Sequence, residues 1–153
     1  MPYKCFLIEQ DGEWREGELC NCGCGTSLDY SGSWWVRKDT GERHKHIRDF
    51  AVGAMWFADW LKQGKGGYGW DWDNQDTPPL VVKTPGGDWV IDSRASNCTM
   101  KDDKLHRCWV RHGEPPIITV DKSGNTCAAG AGSIMCGRYH GFLRDGHLTD
   151  GNG

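Results

Sequence analysis

The sequence predicts an α+β domain of short, mostly antiparallel strands, with one amphipathic helix packed across them and zinc pinning a loop-rich remainder. Three observations lead there. In "HIRDFAVGAMWFADWLKQG", Ile47, Phe50, Ala51, Ala54, Ala58 and Leu61 recur at helical spacing and form one apolar stripe. Elsewhere, short apolar runs are cut by Gly, Pro and Asp turns. Eight cysteines and six histidines in 153 residues favour metal chemistry over packing alone.

The chain reads as a single domain, residues 1–153, with five sections. Residues 1–42 form a Cys-rich strand section: "YKCFLIE" is a strand, "DGEW" a turn, "CNCGCG" a thiol cluster and "GSWWVRK" a second strand. The helix occupies 43–64, with Gly64 as its C-cap and Lys62 in its last turn. Trp56 and Trp60 lie opposite the stripe, so the helix is expected to be covered on two sides. A Gly/Trp/Asp loop fills 65–79. Section 80–148 holds a hairpin ("LVVKT", "PGGD", "WVID"), a polar stretch from Ser93 to Pro116, the strand "IITVD", and "YHGFLRDGHL" turning at Asp145-Gly146. The tail, 149–153, is expected to fray. Nine tryptophans and 22 glycines fit a turn-rich fold that relies on large aromatic surfaces.

A net charge of -3 argues against a strongly basic nucleic-acid binder, and no apolar stretch is long enough to span a membrane. "MPYKCFLIEQDGEW" has no apolar run ending in a small-residue cleavage site, so the expected location is the cytoplasm. There the cysteines are thiols and metal ligands rather than disulfides.

Zinc needs four thiolate or imidazole ligands brought together tetrahedrally. The leading set is Cys98, Cys108, Cys127, Cys136 and His140, with His106 beside it. A second set is Cys20, Cys22 and Cys24, alternating within "CNCGCG". Glycines 137 and 141 are expected to leave room around His140 for a ligand. An open zinc position would need a proton carrier nearby; His112, Glu114 and Asp92 are the candidates, with Asp121 also available. Arg94 is suited to holding a carboxylate or phosphate. Trp70 and Trp72 alternate with acids in "GYGWDWDN"; packing is the first use expected of them, and as a binding surface the mixture suits a sugar ring better than a phosphate backbone.

"CNCGCG", with "GSI" and "CGRYHGFLRDG" far downstream, resembles a Cys-rich, zinc-binding family found in phages and in bacterial ubiquitin-like operons. That resemblance implies a metal-binding domain with peptidase-like activity. It points to Cys20, Cys22 or Cys24 acting with Cys136 and His140, and to Ser133 as the motif serine. Gly132 stands where the family has proline, and Arg138-Tyr139 where it has a single Trp. The stretch from Asn97 to Ile134 is similar to proteins of tailed phages.

The functional expectation is therefore a phage-type, zinc-dependent hydrolase acting on peptide or isopeptide bonds. The rival is a zinc-stabilised module that binds a host protein without catalysis. A third class is a secreted, disulfide-linked carbohydrate binder.

Overall fold

The structure is a computed structural model that describes residues 2–14, 32–58, 79–91, 99, 109–122 and 133–150. Among these residues the protein is nearly all β, arranged as two sheets. The strands are β1 (Tyr3–Lys4), β2 (Phe6–Trp14), β3 (Gly32–Arg37), β4 (Arg43–His44), β5 (Ala54–Phe57) and β6 (Leu80–Thr84). They continue with β7 (Gly87–Val90), β8 (Val110–Glu114), β9 (Ile117–Asp121), β10 (Ile134–Cys136), β11 (Tyr139–Arg144) and β12 (His147–Asp150). The first sheet runs β1-β12-β11-β9-β8, with β10 also paired to β11, and the second runs β4-β3-β2-β5-β6-β7. Every pairing is antiparallel except β2 with β5.

The expected helix is not there, and the α+β reading is corrected to β. Residues 47–49 make one 3-10 turn, and Ala54–Phe57 is a strand between β2 and β6. Gly53 explains the switch. It adopts φ 107°, and a side chain there would overlap the Lys4 carbonyl, so the chain turns sharply and enters the sheet. Ala54 and Trp56 then face one side and Met55 the other, all fully or almost fully buried. A strand covered on both faces is apolar throughout, and such a run mimics helical spacing. Trp56 is buried as expected; Trp60, Leu61 and Gly64 lie outside the described residues.

Two cores result. The larger lies between the sheets, where Met55, Leu80 and Val82 of the second meet Ile118, Leu143 and Leu148 of the first. The smaller covers the far side of the second sheet: Phe6, Ile8, Trp56, Val81 and Val90 pack against Phe50 and Ala58. Lys83 closes this layer, its ammonium donating to the carbonyls of Arg48 (2.7 Å) and Phe50 (2.6 Å). Cys5 is the crossing point between sheets. Its N–H donates to Gly146 O of the first sheet, and the next residue, Phe6, donates to Gly53 O beside the second.

The "DGEW" turn is absorbed into β2, where Gly12 has φ 81° and the register with β3 shifts between Gln10 and Glu13. No described helix is long and apolar enough to cross a membrane.

Candidate functional site

The hairpin of β10 and β11 carries the Cys and His that the sequence brought forward. Cys136 pairs with Tyr139, and Met135 pairs with His140. Directly paired residues share a face and successive residues alternate. Cys136 therefore sits with Tyr139 against the inter-sheet core, half-buried, its thiol donating to Asp88 O at 3.6 Å. His140 is exposed on the opposite face beside Met135, with Nε2 2.9 Å from Ser133 Oγ. One ion shared by Cys136 and His140 does not fit this arrangement.

The surrounding glycines are filled by the protein itself. A side chain at Gly137 would overlap Gly86 O, and one at Gly86 would overlap Cys136 O, because the tips of the two hairpins dock backbone to backbone. At Gly141, the missing side chain makes way for the Tyr139 ring, whose hydroxyl donates to Thr149 O.

The outer face of the first sheet gathers the polar chemistry. His112 Nε2 donates to Asp121 Oδ1 at 2.9 Å, diagonally across the β8–β9 pair. Glu114 and Ile117 are paired at the hairpin end. His147 Nδ1 donates to Asp145 O at 3.0 Å, and the Asp145 N–H donates to Thr119 Oγ1 at 3.0 Å. The Arg144 guanidinium lies 4.4 Å from the Phe142 ring centroid. Two large apolar side chains stand out on this face, Ile117 at 70% and Met135 at 74% exposure. His112 and Glu114, expected as proton carriers, thus belong to an open surface. The Ser133–His140 contact is a surface hydrogen bond on the same face.

A second polar feature was missed in the sequence. Glu42 and His44 alternate along the edge of the second sheet, with His44 Nε2 2.6 Å from Glu42 Oε2. His44 is 4% exposed, packs edge-on to Phe50 at 4.5 Å, and lines a shallow cleft of about 600 Å³ with Thr40, Gly41 and Glu42. The signal was the Glu-x-His spacing in "GERHKH", which puts both side chains on one side of a strand. Nearby, Arg37 donates to Asp39 at 2.5 Å and holds that carboxyl below the usual aspartate range.

Two cysteines are described, and both are unpaired thiols. Cys5 is 2% exposed, and burial pushes its thiol up to about 12. The expected ligands Cys20, Cys22, Cys24, Cys98, Cys108 and Cys127 lie outside the described residues, as do Asp92, Arg94, Trp70, Trp72 and His106. Among the described residues no group of three or more His, Cys, Asp or Glu side chains could hold a metal ion. No protein-family model, curated protein or solved structure matches the chain.

Proposed function

We propose that this β-sandwich protein is a protein-binding module rather than a hydrolase, and that the outer face of its first sheet is the contact surface. The observation that carries this reading is the split of Cys136 from His140 across the β10–β11 hairpin. A catalytic zinc site needs converging ligands and an open position. With the two residues on opposite faces, the central pair of the hydrolase reading is lost. Exposed Ile117 and Met135, set among hydrogen-bonded polar side chains, are the mixture of apolar anchors and polar surround found at non-obligate interfaces. Zinc, held by cysteines other than this pair, would then serve as a staple.

Two experiments test the proposal. Elemental mass spectrometry of the wild type and His140→Ala should give equal zinc per chain, and loss of zinc in the variant would sink it. A photo-crosslinking residue at position 117 or 135 should trap one discrete protein from the native host, and the same residue at Glu9 should not. The trapped protein, purified, should bind the wild-type chain directly. Equal adducts from all three positions would remove the assigned surface.

A further inference from the structure

Ile117 stands 70% exposed at the start of β9, and the fold sets a carboxylate on either side of it. On one side Glu114, also exposed, is its cross-strand partner in β8. On the other, the β11–β12 turn is drawn against β9: the Gly146 N–H donates to Ile118 O at 2.9 Å. Gly146 permits the approach, since a side chain there would crowd Ile117 Cα at 3.1 Å. Asp145 is thereby fixed over the outer face. Its N–H donates to Thr119 Oγ1 at 3.0 Å, and its carboxylate accepts from the Thr119 hydroxyl at 3.5 Å. The order across the strands is Glu114, Ile117, Asp145. At roughly 4.8 Å per strand, the two acids stand about 10 Å apart.

Neither acid is neutralised locally. Among the described residues, no Lys, Arg or His nitrogen lies within ion-pairing distance of Glu114 or Asp145. The Arg144 guanidinium is held over the Phe142 ring, and Lys4 stands on the far edge strand, β1. Asp121 adds a third carboxylate to the face. The whole chain is acidic too, with 21 Asp and Glu against 18 Lys and Arg. An apolar side chain between two uncompensated carboxylates is the complement of a segment with an aliphatic residue between cations. An acidic segment would meet like charge on both sides of the anchor.

We infer that this end of the face docks an extended segment of the partner protein in which Leu, Ile or Val lies between Lys or Arg residues. The inference deepens the binding-module reading and rests on it. Alternation suits the spacing. Residues i and i+4 of an extended chain are about 13 Å apart, so long cationic side chains there reach inward to the two acids while residue i+2 meets Ile117. The other exposed anchor, Met135, is paired with His140 and lies outside this bracket.

The test uses a fluorescein-labelled peptide, Lys-Ser-Leu-Ser-Lys, and fluorescence anisotropy at low salt. Two relatives, Glu-Ser-Leu-Ser-Glu and Lys-Ser-Ser-Ser-Lys, separate charge from apolar contact without altering the protein. The wild-type chain should bind the first peptide at least about fivefold more tightly than either relative. Glu114→Gln/Asp145→Asn should weaken that binding about fivefold or more. Asn suits the left-handed backbone at position 145, φ 47°, so this variant removes charge and keeps the turn. Ile117→Ser should weaken binding about as much. Glu9→Gln/Glu13→Gln, which removes two charges from the second sheet, should leave it unchanged. No saturable binding, equal binding of the Glu peptide, or equal weakening by the two double variants would each overturn the inference. If the peptide fails while positions 117 and 135 still trap a protein, the assigned segment is wrong and the binding module stands. If the trapping fails as well, both fall.

Discussion

The two sheets turn opposite kinds of surface away from each other. The far face of the second sheet is apolar and covered: Phe6, Trp56 and Val81 lie under Phe50, whose segment Lys83 ties down. The outer face of the first carries His112, Asp121, His140 and Arg144, with large apolar side chains exposed among them. The difference teaches where sequence effort went. One face was completed internally with a half-buried polar clamp, and the other was left with groups that a partner can use.

Substitutions should separate the faces, and the largest effect belongs to the covered one. Phe50→Ala should cost about 3–5 kcal/mol, because a fully buried ring packed against His44 and Phe6 is removed. Phe142→Ala on the other face should cost under about 1 kcal/mol, since its ring is only partly buried beneath Arg144. Urea denaturation of both variants checks the contrast, and equal losses would break it. Lys83→Met keeps the stem but abandons two carbonyls, and should cost about 2 kcal/mol. Native-state hydrogen exchange should then show faster opening at Phe50 than in the first sheet.

Cys5 lies between the two faces and reports on neither. Its thiol is raised from 9.0 to about 12, so above pH 9 the unfolded chain gives up a proton that the folded chain retains. Stability from this group is complete below pH 9 and is lost as pH climbs toward 12, at up to about 1.4 kcal/mol per pH unit. Cys5→Ala should abolish that part of the alkaline decline; an unchanged alkaline limb would show that Cys5 is not its source.

The smallest effect sits at the rim of the covered face. Asp39 is held below the ordinary range by its hydrogen bond to Arg37, so its contribution is full above pH about 4 and fades as pH falls through the lowered value. The pair is solvent-exposed, and Asp39→Asn should lower stability at neutral pH by only about 0.2–1 kcal/mol. The difference between wild type and variant should vanish toward pH 2.

Much of the strand pattern was legible. "LVVKT" and the "WV" of "WVID" fall in the β6–β7 hairpin, whose second strand already begins at Gly87 inside the expected turn, and Asp145-Gly146 is the turn between β11 and β12. β5 was not legible, because burial on both faces erased its alternation. β8 and β10 were hidden too: "VRHGE" carries charge and glycine through a strand, and "IMC" is only three residues long. The candidate site failed on parity. Cys136 and His140, four apart, share a face of a helix or of an unbroken strand, but the turn between β10 and β11 exchanges the faces. That exchange depends on pairing register, which cysteine and histidine spacing does not encode.

The pairing of β1 with β12 has a kinetic consequence. Tyr3 and Lys4 find their partners at Leu148 and His147, so β1 is made well before the strand it pairs with. The first sheet therefore lacks its β1 edge until residue 148 has been made, whereas the second, bounded by β4 and β7, needs no strand beyond residue 90. Such distant closure places folding in the slow range for small β proteins, roughly milliseconds to seconds. A nascent chain stalled before residue 147 should therefore leave β1 unpaired, whereas the β6–β7 hairpin, whose contacts are local, should already be formed.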